Sequence, residues 1–143
     1  MDFNLSDEQR ELQDTARRFA QEQMKPVAEE LETEAKPLPD EWLKRYAEMG
    51  FLGINVSEDL GGLGLGNLEA LIVMEEFAKI SSAVAFPIFE SSVGPVRAIE
   101  HFATDALKKR IIPKVCAGEM IVAVSMSEPE AGTALTDLKT RGV

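Results

Sequence analysis

The sequence predicts an all-α fold, a helical bundle, which gives way near its end to the first strand of a β domain. Apolar residues recur at helical spacing over most of the chain from Asp7 to Val115. Capping residues and glycines separate these periodic stretches. A β-branched run without helical period follows Gly118. We therefore expect a helical domain over residues 1–118 and the incomplete start of a β domain over residues 119–143.

Length and charge limit the class of protein. The chain has 143 residues, 45% of them hydrophobic, and 15 Lys and Arg against 25 Asp and Glu give a net charge of −10. This is about the size of one domain, large enough to bury a core. Lys and Arg gather into no basic stripe of the kind that a nucleic-acid-binding protein uses. No uncharged apolar stretch reaches the roughly 18 residues of a membrane span. With a single cysteine and no leader-like N-terminal segment, we expect a cytoplasmic protein.

The first helix has a clear start. Residues 6–9, Ser-Asp-Glu-Gln, have the form of a capping box, in which the Ser and Gln side chains each bond the other residue's backbone N–H. Apolar residues then follow at helical spacing: Leu12, Ala16, Phe19, Ala20 and Met24. Pro26 is expected to end or kink this helix, because proline has no N–H to donate.

Two further helices precede the middle of the chain. Residues 33–39 predict a loop, after which Asp40 opens a second helix that Gly50 can close in the left-handed conformation. Asn67 is a candidate N-cap for a third helix. Apolar residues cover most of the circumference of this third helix, which predicts burial on nearly all sides.

The last helical stretches lie between residue 83 and Gly118. The first of them is predicted to be interrupted at Pro87 and again at the Gly-Pro pair of residues 94–95. Thr104 then caps a final helix, which Gly118 ends.

A strand is predicted directly after this helix, where residues 121–124 read Ile-Val-Ala-Val. A lone strand leaves its N–H and C=O groups unpaired, so it needs a neighbour. Either another chain supplies that neighbour, or the polypeptide is the front part of something longer.

Two loops could carry chemistry. Residues 61–66 contain four glycines, but they match neither the dinucleotide-binding spacing nor a P-loop, which favours a structural turn over a phosphate site. Residues 127–133 combine Pro129 and Gly132 with flanking hydroxyls, so N–H and O–H donors could converge on a ligand. From the residues alone, an ordinary strand-to-loop turn is the favoured interpretation of this second pattern.

The sequence lacks the residues that a metal site or a catalytic nucleophile would need. His101 and Cys116 are the only histidine and cysteine, so we predict no zinc site and no metal. No nucleophile elbow accompanies His101, which is more typical of a surface residue, and Cys116 is expected to pack as a small hydrophobe. The glutamates between residues 29 and 34 are typical of a solvated helix face.

Three separated segments, in this order, resemble the acyl-CoA dehydrogenase family. The first comprises residues 49–56 with the glycine loop of residues 61–66. The second runs from the Ser-Val-Gly of residues 92–94 through Phe102 and residues 108–114 to the Ala-Gly-Glu of residues 117–119. The third, Ser-Glu-Pro-Glu-Ala-Gly-Thr at residues 127–133, matches the family's flavin-loop signature, Thr-Glu-Pro-x-Ala-Gly-Ser-Asp.

The resemblance implies a function for the complete protein. An N-terminal helical domain precedes a β domain and a C-terminal four-helix domain in this family, and FAD lies between the latter two. The enzymes oxidise an acyl-CoA by removing an α proton while a hydride passes to the flavin. They are typically tetramers, and an electron-transfer flavoprotein is the expected electron acceptor. The catalytic base is a glutamate beyond Val143, so no catalytic residue is assigned in this chain.

Individual site residues follow from the same resemblance. Val124, Met126 and Ser127 match positions beside the flavin ring. Gly132 and Thr133 match positions facing the cofactor pyrophosphate, and Thr133 also matches a contact with the CoA portion of the substrate.

One further matched position lies at the acyl pocket, and two positions differ from the family's usual residues. Phe89 lies on the helix that lines the acyl pocket, where an inward ring would favour a short or unusually shaped acyl group. Val124 stands where an aromatic residue is common, and Ala134 where the signature has Asp. The competing interpretation is a non-catalytic helical interaction module or subunit derived from the same fold.

Overall fold

A computed structural model describes residues 4–141. This range contains seven α-helices, two short π-helical turns and two 3₁₀ turns. The π turns are Ala20–Met24 and Phe89–Val93, and the 3₁₀ turns are Glu58–Leu60 and Leu135–Asp137. The α-helices are α1 (Asp7–Phe19), α2 (Lys25–Glu34), α3 (Asp40–Glu48), α4 (Asn67–Ala78), α5 (Ser82–Ile88), α6 (Pro95–Phe102) and α7 (Asp105–Cys116).

The first helix begins as predicted but does not end at Pro26. The Gln9 N–H donates to the Ser6 hydroxyl at 3.2 Å, and the Ser6 N–H donates to Gln9 Oε1 at 2.9 Å, which completes the capping box. The chain stays helical through the π turn into α2, where Pro26 occupies the first turn. A proline is tolerated there because the first turn has no internal acceptor for its N–H. Ala35, at φ 51°, ends α2 two residues into the predicted loop.

The main core is built around four aromatic rings from α1, α3, α4 and the segment after α3. The ring centroids lie 5.1–5.9 Å apart, and most pairs meet edge to face. The rings belong to Phe19, Tyr46, Phe51 and Phe77. The buried Tyr46 hydroxyl donates to the Val84 carbonyl at 3.0 Å, which ties α3 to α5.

A second cluster joins α6 and α7 to the glycine loop. Its buried residues are Val56, Leu60, Val96, Ile112, Val115 and Cys116. The glycine loop folds back on residues 53–56: the Leu63 N–H donates to the Gly53 carbonyl at 3.1 Å, and the Gly64 N–H to the Val56 carbonyl at 2.8 Å. The loop is therefore a structural turn, as its spacing predicted.

Helix α4 differs from its prediction in two ways. Gly66 is the N-cap, because the Asn67 side chain accepts a hydrogen bond from Asn55 Nδ2 at 2.6 Å and does not cap. Burial on nearly all sides is also wrong, since Leu68 and Leu71 are 50% and 45% exposed. The helix packs against α1 and α5, which leaves a third side open.

The remaining helices follow the predicted caps. Pro87 lies inside α5 without interrupting it, and the chain widens only afterwards into the π turn. Gly94 is the N-cap of α6, and the Thr104 hydroxyl caps α7 by accepting from the Leu107 N–H at 3.4 Å. Gly118, at φ 69°, ends α7 so close to α3 that a Cβ would lie 2.4 Å from the Leu43 carbonyl oxygen.

The predicted strand at residues 121–124 is not formed within residues 4–141. These residues pair with no ladder, and the nearest β feature is a single bridge between Glu128 and Ala131. The physical reason is the one the sequence raised: no second strand lies in the described chain to accept its hydrogen bonds.

Among residues 4–141, no helix combines the length and the apolar character that crossing a membrane requires.

Candidate functional site

The segment after α7 leads from the helical core to the predicted flavin residues. Met120 and Val122 pack against the second core cluster, while Ile121 between them is 53% exposed, the alternation of an extended chain. Val124 and Met126 are about half exposed, and the residues beside them in 123–127 are exposed as well. The segment thus carries apolar side chains that the other described residues leave half uncovered.

A tight turn follows, and Glu128 fixes it. The Glu128 N–H donates to the Ala131 carbonyl at 2.9 Å, and the Ala131 N–H donates back to the Glu128 carbonyl at 3.1 Å. The Glu128 carboxylate accepts from the Thr140 hydroxyl, from the Lys139 N–H at 2.9 Å and from the Thr140 N–H at 2.8 Å. The hydrogen bond from the Thr140 hydroxyl, with the two backbone bonds, lowers the pKa of Glu128. Glu128 is therefore a structural acceptor.

Three predicted cofactor residues flank this turn. Ser127 precedes it, and Gly132 and Thr133 follow it; all three are exposed. In the described part of the chain, the hydroxyls of Ser127 and Thr133 make no hydrogen bond. A Cβ built on Gly132 would meet no atom within 4 Å. Free hydroxyl donors, an unobstructed backbone and adjacent apolar side chains suit a ligand with an apolar ring and anionic oxygens, such as FAD.

Phe89 lies in a different place, beside an apolar recess between α4 and α5. The recess has a volume of about 250 Å³, and its lining residues carry no charge: Met74, Ala78, Ser82, Ala85, Phe86 and Phe89. Phe89 is 37% exposed, and its ring centroid lies 5.5 Å from that of Phe86. Such a recess can accommodate an alkyl group.

Two glutamates to which the sequence analysis gave no role also occupy special positions. The buried Glu76 accepts from Arg17 and Lys79, whereas the partly buried Glu90, next to Phe89, has no such partner among residues 4–141. Burial raises the pKa of Glu90. The available signal was that Glu90 is the only charged residue between Ala83 and Val96.

The remaining candidate residues lie apart from these features. His101 is exposed near the end of α6. Cys116 is buried, and burial raises the pKa of its thiol to about 11, so the reactive thiolate is disfavoured. Within residues 4–141, no group of three or more His, Cys, Asp or Glu side chains could hold a metal ion.

Comparison with known proteins decides the family. The family profile described as acyl-CoA dehydrogenase, N-terminal domain, matches residues 6–119, which is most of the chain. The chain belongs to the acyl-CoA dehydrogenase family. The resemblance noted in the sequence and the predicted helical bundle are thereby confirmed.

The curated relatives of this acyl-CoA dehydrogenase family member are much longer than the chain. Mitochondrial isovaleryl-CoA dehydrogenase of Pongo abelii is 37% identical over 139 residues, covering 96% of this chain and 33% of the relative. Acryloyl-CoA reductase (NADH) of Anaerotignum propionicum is 36% identical over 143 residues, covering 100% of this chain and 36% of the relative. The chain thus spans about a third of the length of these relatives.

Solved structures of the family share the fold. A complex of glutaryl-CoA dehydrogenase with glutaryl-CoA has a TM-score of 0.86 at 33% identity, covering 96% of this chain and 35% of the other. The FAD complex of PigA has a TM-score of 0.85 at 28% identity, covering 97% of this chain and 37% of the other. In both cases the similarity extends beyond the helices into the turn around Glu128, since it covers nearly the whole chain.

Proposed function

We propose that this chain is the N-terminal portion of an FAD-dependent acyl-CoA dehydrogenase that oxidises the α,β bond of an acyl-CoA thioester. Family membership supports the reaction class. The observation that carries the proposal is the turn fixed by Glu128, which holds unused hydroxyls on both sides next to exposed apolar side chains. FAD, when bound, supplies the hydride acceptor.

The chain's own residues would hold one face of the cofactor. Val124 and Met126 would lie against the apolar ring, and the Ser127 hydroxyl would donate to its polar edge. Gly132 would let the backbone approach the pyrophosphate, and the Thr133 hydroxyl would donate to the pyrophosphate and to the CoA portion of the substrate. The absence of any atom near a Gly132 Cβ supports this, because nothing in the described chain closes that space.

Phe89 would set the floor of the acyl pocket. Its ring and that of Phe86 stand at an uncharged recess, so a neutral alkyl chain would gain apolar contact there. A ring of this size occupies volume that a longer chain needs, which favours a short or unusually shaped acyl group. The base that removes the α proton would be a glutamate outside this chain.

The partners follow from the same proposal. The complete enzyme would combine this chain with the remaining β and C-terminal helical domains, assemble as a tetramer and act in the cytoplasm. An electron-transfer flavoprotein would accept its electrons.

Intact mass and an absorption spectrum of the protein purified from its natural source test this function. We expect a polypeptide longer than 143 residues, or a second fragment, with a bound oxidised flavin whose visible absorption bleaches anaerobically with an acyl-CoA. A colourless species of 143 residues that takes up no FAD would contradict the proposal and favour a non-catalytic helical module.

A further inference from the structure

We propose that Lys139 is a further ligand-binding residue of this chain: its ammonium group binds a phosphate of the ligand at the turn of residues 127–133. The inference rests on the proposed function and adds a cation to the anionic part of that site. The phosphate belongs to the pyrophosphate of FAD or to the CoA portion of the substrate, and the experiment below distinguishes these two sources.

The turn has no positive charge of its own. No Lys or Arg lies between Lys114 and Lys139 in the sequence. Four carboxylates lie in the same stretch: Glu119, Glu128, Glu130 and Asp137. Hydroxyl and backbone donors can hydrogen-bond a phosphate but do not neutralise its charge, and nearby carboxylates repel it. A phosphate at this turn therefore needs a cation from another part of the chain.

The structure brings Lys139 to the turn through Glu128. The Glu128 carboxylate accepts from the backbone N–H groups of Lys139 at 2.9 Å and of Thr140 at 2.8 Å, which lie 11 and 12 positions further along the chain. These two bonds hold the backbone of Lys139 against the turn whatever its side chain does. Within residues 4–141, no other Lys or Arg side chain forms an ion pair or hydrogen bond with residues 127–133.

The Lys139 ammonium is held at the turn by an exposed ion pair. Its Nζ lies 2.7 Å from Glu130 Oε2, and the two side chains are 75% and 77% exposed. An ion pair this exposed contributes little to stability, so exchanging the carboxylate for a phosphate costs little. Gly132 follows two residues later with open space where a Cβ would stand. The ammonium, this open space and the free hydroxyls of Ser127 and Thr133 thus belong to one turn.

The ion pair also gives the proposal a distinctive sign. A phosphate and the Glu130 carboxylate both accept charge-assisted hydrogen bonds from an ammonium, so they compete for Lys139. Removing the Lys139 charge should then weaken ligand binding, whereas removing the Glu130 charge should strengthen it. A pair that only stabilises the turn predicts instead that both changes weaken binding.

The test measures dissociation constants of the complete protein at low and at high salt. FAD is titrated into the apoprotein, and butyryl-CoA into the flavoprotein. The variants are Lys139→Gln, Glu130→Gln and Lys139→Arg, which keeps the positive charge. The controls are Lys36→Gln and Glu34→Gln, which break a second exposed lysine–glutamate pair at the end of α2.

We expect Lys139→Gln to weaken binding of at least one of the two ligands about tenfold at low salt, as loss of a charge-assisted hydrogen bond does, and by less at high salt. Glu130→Gln should tighten binding of the same ligand, and Lys139→Arg should keep most of the wild-type affinity. The two control variants should change neither dissociation constant. Weaker FAD binding assigns Lys139 to the pyrophosphate of the cofactor, whereas weaker butyryl-CoA binding with unchanged FAD binding assigns it to the CoA portion.

Three results would overturn the role of Lys139. They are wild-type affinity of Lys139→Gln for both ligands, weaker binding in both Lys139→Gln and Glu130→Gln, and an equal loss in Lys36→Gln. If the wild-type protein binds neither FAD nor butyryl-CoA, the proposed function itself fails.

Discussion

Glu76 shows how a carboxylate can be kept charged inside the helical core. Its side chain is 1% exposed, and it accepts from Arg17 Nη2 at 3.1 Å and from Lys79 Nζ at 2.8 Å. Burial alone would raise its pKa, but the hydrogen bonds from Arg17 and Lys79 outweigh this, so the pKa of Glu76 lies below its usual value. A lowered pKa stabilises the fold above the unfolded-state value of about 4.3 and loses that contribution as the pH falls.

Glu76→Gln is therefore expected to lower the free energy of unfolding by about 1–3 kcal/mol at pH 7, the usual cost of losing a hydrogen-bonded charge. The difference from the wild type should shrink as the pH falls below about 4, because the wild-type carboxylate then protonates. Urea unfolding of the chain at pH 7 and at acidic pH measures both effects.

The matched control is Glu75→Gln on the same helix. Glu75 is exposed and lies 3.7 Å from Lys79, so its ion pair contributes little. Equal unfolding energies for the two variants at pH 7, or a Glu76→Gln difference that does not vary with pH, would show that the buried pairing does not stabilise the fold.

Phe89→Ala tests the acyl pocket. In the complete enzyme, removing the ring should raise kcat/KM for acyl groups longer by one or two carbons about tenfold relative to the wild-type optimum, since each methylene accommodated is worth roughly 10-fold or more. A chain-length series of acyl-CoA substrates measures this. Phe102→Ala is the control, because that ring is 88% exposed at the end of α6. The same profile in both variants would remove Phe89 from the pocket.

At the scale of elements, two glycine loops differ in why they need glycine. A Cβ on Gly62 would lie 2.2 Å from the Val56 carbonyl oxygen, which is backbone and cannot turn away. A Cβ on Gly132 would meet nothing within 4 Å. The first loop needs glycine to pack, and the second has no packing reason for it in the described chain.

Gly62→Ala is expected to lower the free energy of unfolding by about 1–3 kcal/mol, the cost of overpacking. Gly132→Ala should leave it within about 0.5 kcal/mol, yet weaken FAD binding by the complete protein, because the new methyl occupies the space offered to the pyrophosphate. Thermal unfolding of the chain and FAD titration of the complete apoprotein measure the two effects. Unchanged FAD affinity of Gly132→Ala would separate this loop from the cofactor.

Elements whose limits depend on local chemistry were predictable from the sequence. The Ser6 box, the Thr104 cap and the left-handed Gly50 all follow from bonds within a few residues. Pro26 was predicted to end or kink the first helix. The structure instead has a π turn just before it, which no periodicity indicates, and Pro26 falls in the first turn of α2.

Burial was less predictable, because it depends on neighbours. The apolar circumference of α4 correctly predicted a central helix, but Leu68 and Leu71 face outward on a side that no described element covers. The one sequence feature that pointed to Glu90 was that it is the only charged residue in an apolar stretch. The sequence alone could not show that Glu90 lies beside residues 120–122.

At the scale of the whole molecule, the helices bury their apolar side chains against one another, whereas the segment that follows α7 leaves its apolar side chains half exposed. Ile121, Val124 and Met126 are each about half exposed, and these residues leave the helices without a neighbouring strand. An unpaired extended segment with apolar side chains can pair with another chain. The proposed function supplies the missing neighbour in the rest of a β domain.

Hydrogen–deuterium exchange distinguishes these situations. In the chain alone, the amides of residues 121–126 should exchange almost as fast as those of an unfolded peptide, because the described structure gives them no acceptor. In the complete flavoprotein they should be protected by about 100-fold or more, as strand amides are. Amides of Val73 and Phe77, buried in α4, serve as the internal reference and should be protected in both samples. Protection of residues 121–126 in the chain alone that grows with concentration would instead show that two copies pair through this segment. In that case the strand forms without a β domain, and residues 121–126 do not need the rest of a flavoenzyme for their pairing.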